Sequence, residues 1–301
     1  MKLVLALAAA VAAAAGGWQS GPQLPVARTE VAAAVSGGSV VVAGGYVADG
    51  SSSARVDLFD PGRSVWRAGP DLPAAVNHAS AATLKGRAVV VGGYTGPGTP
   101  SRTAVRLDGA SWQLLAPMPR TRAAAAAVAL NGKLYVVGGV TDGGLARSML
   151  MFDLQRNRWS LLAGPTPRQH LAAAAARGRI YAIAGRRAGA DTNVATVESW
   201  APGETRWRRE RPVPEARGGT GAASVAGLIV SVGSEALEGT SGAVYGFDVA
   251  TRAWRRLPDL PTRRHGLGVV AFGRDVIAIG GGPKPGLTVT GANERLTIPQ
   301  Q

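Results

Sequence analysis

Six tryptophans recur along the chain at nearly constant intervals, and this regularity limits the possible folds more than any other feature. They are separated by 48, 46, 47, 48 and 47 positions: Trp18, Trp66, Trp112, Trp159, Trp207 and Trp254. A glycine follows each of them 26 residues later: Gly44, Gly92, Gly138, Gly185, Gly233 and Gly280. A period in the high forties with a fixed internal distance indicates one supersecondary unit that is repeated six times.

Each unit carries the signals of four short strands. A tryptophan segment is followed by a run of small residues, then by a turn, a β-branched run that ends in glycine, and an apolar segment that ends in an aromatic residue. In the third unit the turn is Asn131-Gly132, a strong signal for a type I′ hairpin. The alanine-rich runs 123–130 and 171–176 favour helix by propensity alone. Because other repeats place Val, Ser, Thr and Gly in the same slot, we predict strands there as well.

Four antiparallel strands repeated six times predict an all-β, six-bladed β-propeller, whose circular arrangement leaves few exposed sheet edges. The order of the segments also predicts how the ring closes. The chain begins with a tryptophan strand near Trp18, and its last strand signal, residues 293–298, has no tryptophan strand after it. We therefore expect the N-terminal strand to pair with the last blade.

The residues that repeat also carry a family resemblance. A Gly-Gly pair after an apolar strand, a later aromatic residue, and a spaced tryptophan and proline occur in register, and the chain resembles the kelch-repeat family from Trp18 to about Ile298. Three positions depart from the pattern: Arg186 and Ser234 stand in place of the second glycine, and Leu296 in place of the aromatic residue. The resemblance implies a propeller that binds ligands around the mouth of its central channel.

The first fifteen residues have the pattern of an export signal. Lys2 precedes an apolar stretch from Leu3 to Val11, and a run of alanines ending at Ala15 offers a cleavage site. We predict a signal peptide at residues 1–15, a propeller at residues 16–301, and a periplasmic or secreted location. The alternative is an uncleaved N-terminal helix. The apolar stretch is too short to predict a membrane span.

The net charge of +14 is carried almost wholly by arginine. A basic protein attracts polyanions in general, although a bias toward Ala, Gly and Arg explains the same composition. Nucleic acid is not an expected partner of an exported protein. The chain has no cysteine, which excludes disulfides and thiol chemistry.

Four arginines are candidate ligand-binding residues. Ten residues after each tryptophan stand Arg28, Val76, Arg122, Gln169, Arg217 and Arg264. We predict that the arginines ring the channel mouth, where guanidinium groups would bind carboxylates or sulfates of an acidic glycan. The alternative is that they tie loops to neighbouring blades through backbone carbonyls.

All three histidines lie just after these positions, and we include them among the candidate binding residues: His78, His170 and His265. Three imidazoles from alternate blades could surround a metal ion. However, the spacing from the tryptophan differs by one residue between His78 and the other two, so we predict ordinary hydrogen-bonded histidines, no metal and no cofactor.

A second set of loops, after the glycines, offers further candidates: Tyr46, Asp49, Tyr94, Asp142, Arg186, Arg187, Asp191, Glu235 and Glu238. Arg186 is included because it displaces a glycine. Glu30, two residues after Arg28, lies on the same side of its strand and could transfer protons or form a salt bridge.

Two functions fit this pattern. The first is an exported, non-catalytic binding module that presents a basic channel mouth to a protein or an acidic glycan. The second is a sugar-active enzyme similar to the exported kelch-type sialic-acid mutarotases, with Glu30, Asp142 or Glu235 acting beside Arg122 or Arg217. The copper radical oxidases of the kelch group use a tyrosine cross-linked to cysteine, and the absence of cysteine excludes that activity.

Overall fold

Each repeat folds into a four-stranded antiparallel sheet, and six such blades surround a central axis in the computed structural model, which describes residues 17–299. Blade 1 contains β2 Ala32–Ser36, β3 Ser39–Ala43, β4 Val56–Asp60 and β5 Val65–Ala68. Blade 2 contains β6 Ser80–Leu84, β7 Arg87–Val91, β10 Ala104–Asp108 and β11 Ser111–Leu114. Blade 3 contains β12 Ala126–Leu130, β13 Lys133–Val137, β16 Ser148–Asp153 and β17 Arg158–Ala163. Blade 4 contains β18 Ala172–Ala176, β19 Arg179–Ile183, β20 Val197–Trp200 and β21 Arg208–Arg209. Blade 5 contains β22 Gly221–Val225, β23 Leu228–Ala236, β24 Gly239–Asp248 and β25 Ala253–Leu257. Blade 6 contains β26 Gly268–Phe272, β27 Asp275–Ile279, β28 Asn293–Thr297 and β1 Gln19–Ser20.

Smaller elements lie in the loops that follow the second strands. Two short ribbons pair β8 Tyr94–Gly96 with β9 Thr99–Pro100, and β14 Val140–Thr141 with β15 Gly144–Leu145. A 3-10 turn covers Ala190–Thr192. In the described part of the chain, no helix is long and apolar enough to cross a bilayer. The predicted signal peptide, residues 1–15, lies outside the described residues.

The N-terminal strand lies in the last blade. β1 pairs antiparallel with β28, with Gln19 opposite Arg295 and Ser20 opposite Glu294. The first and last strand segments of the propeller therefore share one sheet, and this pairing leaves blade 6 with four strands like the others.

The repeated tryptophans hold neighbouring blades together at their outer strands. Each indole N–H donates a hydrogen bond of 2.7–2.9 Å to a backbone carbonyl in the preceding blade: Trp18 to Pro258, Trp66 to Pro22, Trp112 to Pro70, Trp159 to Ala116, Trp207 to Ala163 and Trp254 to Arg211. Because this bond recurs at every blade boundary, the interval of 46 to 48 residues is the number of residues between one blade boundary and the next.

The alanine-rich segments form the innermost strands, which confirms the strand prediction. In β12 and β18 buried and half-buried residues alternate, as expected for a strand. The six innermost strands converge around an axial channel of about 280 Å³, lined mainly by alanine and valine. Small side chains are required here because six sheets approach one axis.

Candidate functional site

The four arginines that are predicted to line the channel mouth do not lie there. The side chains of Arg28, Arg122, Arg217 and Arg264 are at most 1% exposed. Burial lowers the pKa of Arg122 to about 10, which still leaves the side chain charged at neutral pH. The expectation that these four guanidinium groups line the mouth is therefore wrong, because a ligand in the channel cannot reach them.

The buried guanidinium groups instead tie strands of their own blade together. Arg264 pairs with the buried Glu294 of β28 and donates to the Ala278 carbonyl of β27 at 2.9 Å. Arg122 has no carboxylate partner in its blade and donates to the Thr121 and Ser148 carbonyls, both at 2.8 Å.

Two further blades repeat this arrangement. Arg28 binds Asp57 of β4 at 2.9 Å, and Arg217 donates to the Ala243 carbonyl of β24 at 3.2 Å. The arginines are therefore structural, as the alternative interpretation has it, but they bind strands of their own blade and partly through carboxylates, whereas that interpretation placed their partners among the backbone carbonyls of neighbouring blades.

The fourth repeat is one residue shorter than the others at this point, which corrects two sequence assignments. Arg168, nine residues after Trp159, is 1% exposed and pairs with Glu198 at 2.5 Å, so it is the structural equivalent of the other arginines rather than Gln169. We call the six equivalent positions the arginine ring: Arg28, Val76, Arg122, Arg168, Arg217 and Arg264.

The same shift changes the interpretation of Arg186. The N–H of Gly185 donates to the Arg217 carbonyl at 2.8 Å, as the N–H of Gly45 donates to the Val76 carbonyl at 2.8 Å. Gly185 is therefore the second glycine of its pair, and Ala184 takes the first position with a φ of 54°. Arg186 does not displace a glycine. It occupies the next position, which we call the rim ring: Tyr46, Tyr94, Val140, Arg186, Glu235 and Gly282.

Two residues after the arginine ring, the chain of every blade turns through a left-handed residue that faces the axis. The φ angles lie between 49° and 65°, and the six residues, which we call the axial ring, are Glu30, His78, Ala124, His170, Gly219 and Gly266. His78 and His170 are therefore structurally equivalent, and His265 belongs one position earlier. Counting residues from the tryptophan groups His170 with His265 instead, because the fourth repeat has one residue fewer between its tryptophan and this position.

Backbone hydrogen bonds connect the axial ring from blade to blade. Each N–H donates at 2.9–3.0 Å to the carbonyl of the equivalent residue in the preceding blade: His78 to Glu30, Ala124 to His78, His170 to Ala124, Gly219 to His170 and Gly266 to Gly219. The circle is completed by the N–H of Val31, which donates to the Gly266 carbonyl at 3.3 Å. The positions of the axial side chains are thus fixed by the closure of the propeller.

Three of the six axial positions carry polar side chains, and these converge. His78 Nε2 lies 3.4 Å from Glu30 Oε2. The rings of His78 and His170 meet edge to face with centroids 4.9 Å apart. Together with Gly219, Gly266 and their neighbours, these side chains line a cavity of about 100 Å³ at the mouth.

His265 connects the axial ring to the rim ring. Its Nδ1 lies 3.4 Å from Glu30 Oε1, and its Nε2 lies 3.6 Å from Glu235 Oε1 and 3.2 Å from the Lys284 carbonyl. Glu235 in turn binds Arg186 at 2.6 Å. Two carboxylates and two basic groups therefore alternate across the mouth.

Burial and neighbouring charges shift the pKa values of these groups in different directions. Burial lowers the pKa of His78 and of His170, although the Glu30 carboxylate opposes the shift. Burial also acts against a charged His265, but its contacts with Glu30 and Glu235 raise the pKa overall. Burial disfavours the charged form of Glu30 too, yet the surrounding histidines hold its pKa well below the usual range. Glu30 and the three imidazoles are therefore electrostatically coupled, and His265 is the imidazole of this cluster whose pKa is raised.

Two of the other loop candidates, both tyrosines, contact this cluster, while Asp49, Asp142 and Arg187 have no described contact with it. Tyr46 and Tyr94 flank His78 edge to face, with centroids 5.8 and 5.5 Å from the imidazole. Asp49 accepts hydrogen bonds from Ser51 within its own loop. Arg187 is exposed, and the backbone of Asp142 is held by Thr121.

Sequence reasoning also missed residues that orient the histidines. Asn77 Oδ1 lies 2.6 Å from His78 Nδ1, and Gln169 Oε1 lies 3.2 Å from His170 Nδ1. An amide precedes each of these two histidines in the chain, and this shared Asn/Gln-His dipeptide was the available signal.

Fold and repeat together define a β-propeller built from kelch-type blades, and comparison with known proteins agrees. The model of the KLHDC2/KLHL20/DRC7 Kelch-repeats domain matches residues 108–282, and that of the Kelch motif matches residues 27–73. The first match alone spans more than half of the chain. The chain belongs to the kelch-repeat family.

One curated relative and one solved structure illustrate how far the similarity extends. The Kelch-like protein terF of Aspergillus terreus (strain NIH 2624 / FGSC A1156) is 32% identical over 111 residues, which are 35% of this chain and 24% of that protein. The structure of YjhT superposes with a TM-score of 0.79 at 16% identity, over 92% of this chain and 97% of that one. At this identity the similarity to YjhT shows the fold alone.

Proposed function

We propose that this protein is a binding module that holds a polar ligand in the axial pocket, either a sugar or a polar side chain of a protein partner. One observation carries the proposal: Glu30, His78 and His170 occupy left-handed backbone positions where glycine serves in two other blades. A non-glycine residue in this conformation costs about 1–2 kcal/mol. Three such residues with converging polar side chains at one mouth are characteristic of a functional site.

The ligand that fits this pocket differs from the polyanion that an arginine ring would select. The mouth offers the carboxylates of Glu30 and Glu235, the basic groups of His265 and Arg186, and two tyrosines at the rim. Alternating acceptors and donors beside aromatic edges suit a ligand with hydroxyl and amide groups. A carboxylate on an acidic glycan would contact Arg186 or the exposed Arg187.

Titration calorimetry with a panel of neutral and acidic oligosaccharides and with candidate protein partners tests this proposal. We expect Glu30→Gln to weaken binding at least tenfold, about 1.4 kcal/mol, because a buried charged acceptor is lost. Asp259→Asn is the matched control, since Asp259 is an exposed carboxylate that pairs with Arg256 and does not line the axial cavity. Equal affinity of both variants for a ligand that binds the wild type would rule out the axial pocket.

A sugar-active enzyme of the mutarotase type is the second candidate, and the arrangement of Glu30 favours it. A carboxylate within 3.4 Å of the two imidazoles of His78 and His265 provides both a proton acceptor and a proton donor within one pocket. Arg122 and Arg217 do not serve in this version, because both are buried in their blades.

An NMR time course of N-acetylneuraminate mutarotation distinguishes the two candidates. An enzyme accelerates anomer interconversion, and Glu30→Gln should lower that rate by about a hundredfold or more. A rate equal to the uncatalysed one in the wild type excludes this activity and leaves the binding module.

We also propose export, on the basis of the N-terminal sequence pattern. Mature protein recovered from outside the cytoplasm should begin at Gly16, and N-terminal sequencing checks this. Recovery of an intact N-terminus contradicts cleavage after Ala15.

A further inference from the structure

The three polar side chains of the axial ring have the composition and spacing of a metal-binding site. One carboxylate oxygen of Glu30 and one imidazole nitrogen each of His78 and His170 all lie within 4.8 Å of one another. Ligand atoms at about 2.0–2.2 Å from a tetrahedral ion lie about 3.3–3.6 Å from one another, and His78 Nε2 and Glu30 Oε2 are already 3.4 Å apart. Small rotations of the side chains therefore suffice to close the cluster around an ion.

Hydrogen bonds to the neighbouring amides direct the free nitrogens of both imidazoles toward the same point. The Nδ1–H of His78 donates to Asn77 Oδ1, and that of His170 donates to Gln169 Oε1. The amide oxygen occupies the Nδ1 side of each ring, so Nε2 is the nitrogen left to face the cavity. This is the arrangement in which metal-binding histidines are usually held, with the second nitrogen fixed by an outer oxygen.

The Nε2 nitrogens are not otherwise used within the described residues. His170 Nε2 is buried and has no hydrogen-bond partner. His78 Nε2 lies 3.4 Å from Glu30 Oε2, which is longer than an ordinary hydrogen bond. A buried acceptor without a donor is unfavourable, and a cation placed between the three groups would satisfy all of them.

Nearby positive charges are balanced and do not exclude a cation. The five arginines of the arginine ring are buried within their blades, and Arg186 is paired with Glu235. His265 lies between Glu30 Oε1 and Glu235, on the other side of the Glu30 carboxylate from the oxygen that faces His78.

We propose that Glu30, His78 and His170 bind one divalent transition-metal ion, with zinc as the best match to two imidazoles and one carboxylate. Three protein ligands leave a coordination position open. The adjoining cavity of about 100 Å³ allows a water molecule or a ligand atom to occupy it. The proposal goes beyond the binding module described above, because the ion binds whether or not the pocket also holds a sugar or a protein side chain.

Metal titration of the purified protein after chelator treatment tests the site. With ZnCl₂ as the probe, calorimetry should show one equivalent bound. His170→Gln and His78→Gln should each weaken zinc binding at least tenfold, and Asn77→Leu should weaken it by about 10- to 100-fold because Asn77 only orients a ligand. Asp259→Asn is the control, because Asp259 pairs with Arg256 and does not line the axial cavity, and it should keep both the stoichiometry and the affinity for zinc.

Two results overturn the proposal: no stoichiometric zinc binding by the wild type, or equal zinc affinity in the His170→Gln and wild-type proteins. X-ray absorption of the zinc-loaded wild type needs no folded variant and must show two imidazole ligands; any other number contradicts the site. The titration with zinc as the only ligand tests the metal site by itself. The oligosaccharide and partner titrations, repeated with and without zinc, test the binding function separately.

Discussion

The arginine ring and the axial ring lie two residues apart in every repeat, yet they differ in almost every physical respect. Arginine occupies five of the six positions in the first ring: Arg28, Arg122, Arg168, Arg217 and Arg264. The axial ring holds four different residue types in six positions. In a repeat protein a residue that recurs in nearly every unit meets a need that every unit has, which here is bracing the blade. The residues that differ between units carry the chemistry.

Breaking the arginine ring should give the largest effect. Arg264→Leu leaves Glu294, which is 3% exposed, as a buried charge without its partner. We expect a loss of about 3–5 kcal/mol in the free energy of unfolding, measured by urea denaturation. Arg122→Leu should cost clearly less because no carboxylate is left behind. Equal losses in the two variants would contradict this account of the ring.

The outer tryptophans provide an intermediate test of blade bracing. Trp159→Phe removes the indole N–H that donates to the Ala116 carbonyl at 2.7 Å, while most of the ring volume is kept. We expect a loss of about 1 kcal/mol, seen as a lower urea midpoint with an unchanged slope. The axial pocket should be unaffected, so unchanged ligand and zinc titrations serve as the control.

Substitution in the axial ring should have little effect on folding. His170→Gly removes a side chain from a backbone position with a φ of 52°. The relief of strain and the greater freedom of glycine in the unfolded chain oppose each other, so we expect a change within about 1 kcal/mol. The same variant should lose zinc binding. A destabilisation comparable to that of Arg264→Leu would contradict the claim that the arginine ring, and not the axial ring, stabilises the fold.

A half-buried ion pair, Arg179 with Glu204, gives the smallest effect and a dependence on pH. The hydrogen bond from Arg179 lowers the pKa of Glu204 to about 2, although desolvation opposes the shift. A carboxyl group whose folded-state pKa is depressed stabilises the fold above its unfolded pKa, and this contribution is lost as the pH falls toward about 2. The urea midpoint of the wild type should therefore fall further than that of Glu204→Gln between pH 5 and pH 2. Parallel curves would show that the pair contributes nothing.

Much of the fold could be predicted from the sequence because the determining signals repeat. The strand phasing, the six blades and the strand character of the alanine runs follow from the tryptophan and glycine spacing, and the structure confirms them. The burial of Arg28 could not be read from its position, since the same pattern fits a residue at a channel mouth and a residue inside a blade.

The site was harder to predict because one deleted residue in the fourth repeat shifts the count from Trp159. That shift separated His170 from its true equivalent His78 and made Arg186 look like a replaced glycine. Counting from Arg28 and Arg168 places Glu30 and His170 in register, and His78 is in register with Glu30 by the count from the tryptophan, since the second repeat is not shortened there. Their convergence still depends on the left-handed turn of each blade, which is a property of the closed ring and not of any single repeat.

The circle of hydrogen bonds along the axial ring has a consequence for how such a pocket can arise. Glu30, His78 and His170 come from the first, second and fourth blades, and the circle of backbone hydrogen bonds that positions them runs through all six blades. Assembly of the pocket therefore reports completed folding of the molecule. Exchange of side chains at these three places can redirect its chemistry while the scaffold stays as it is.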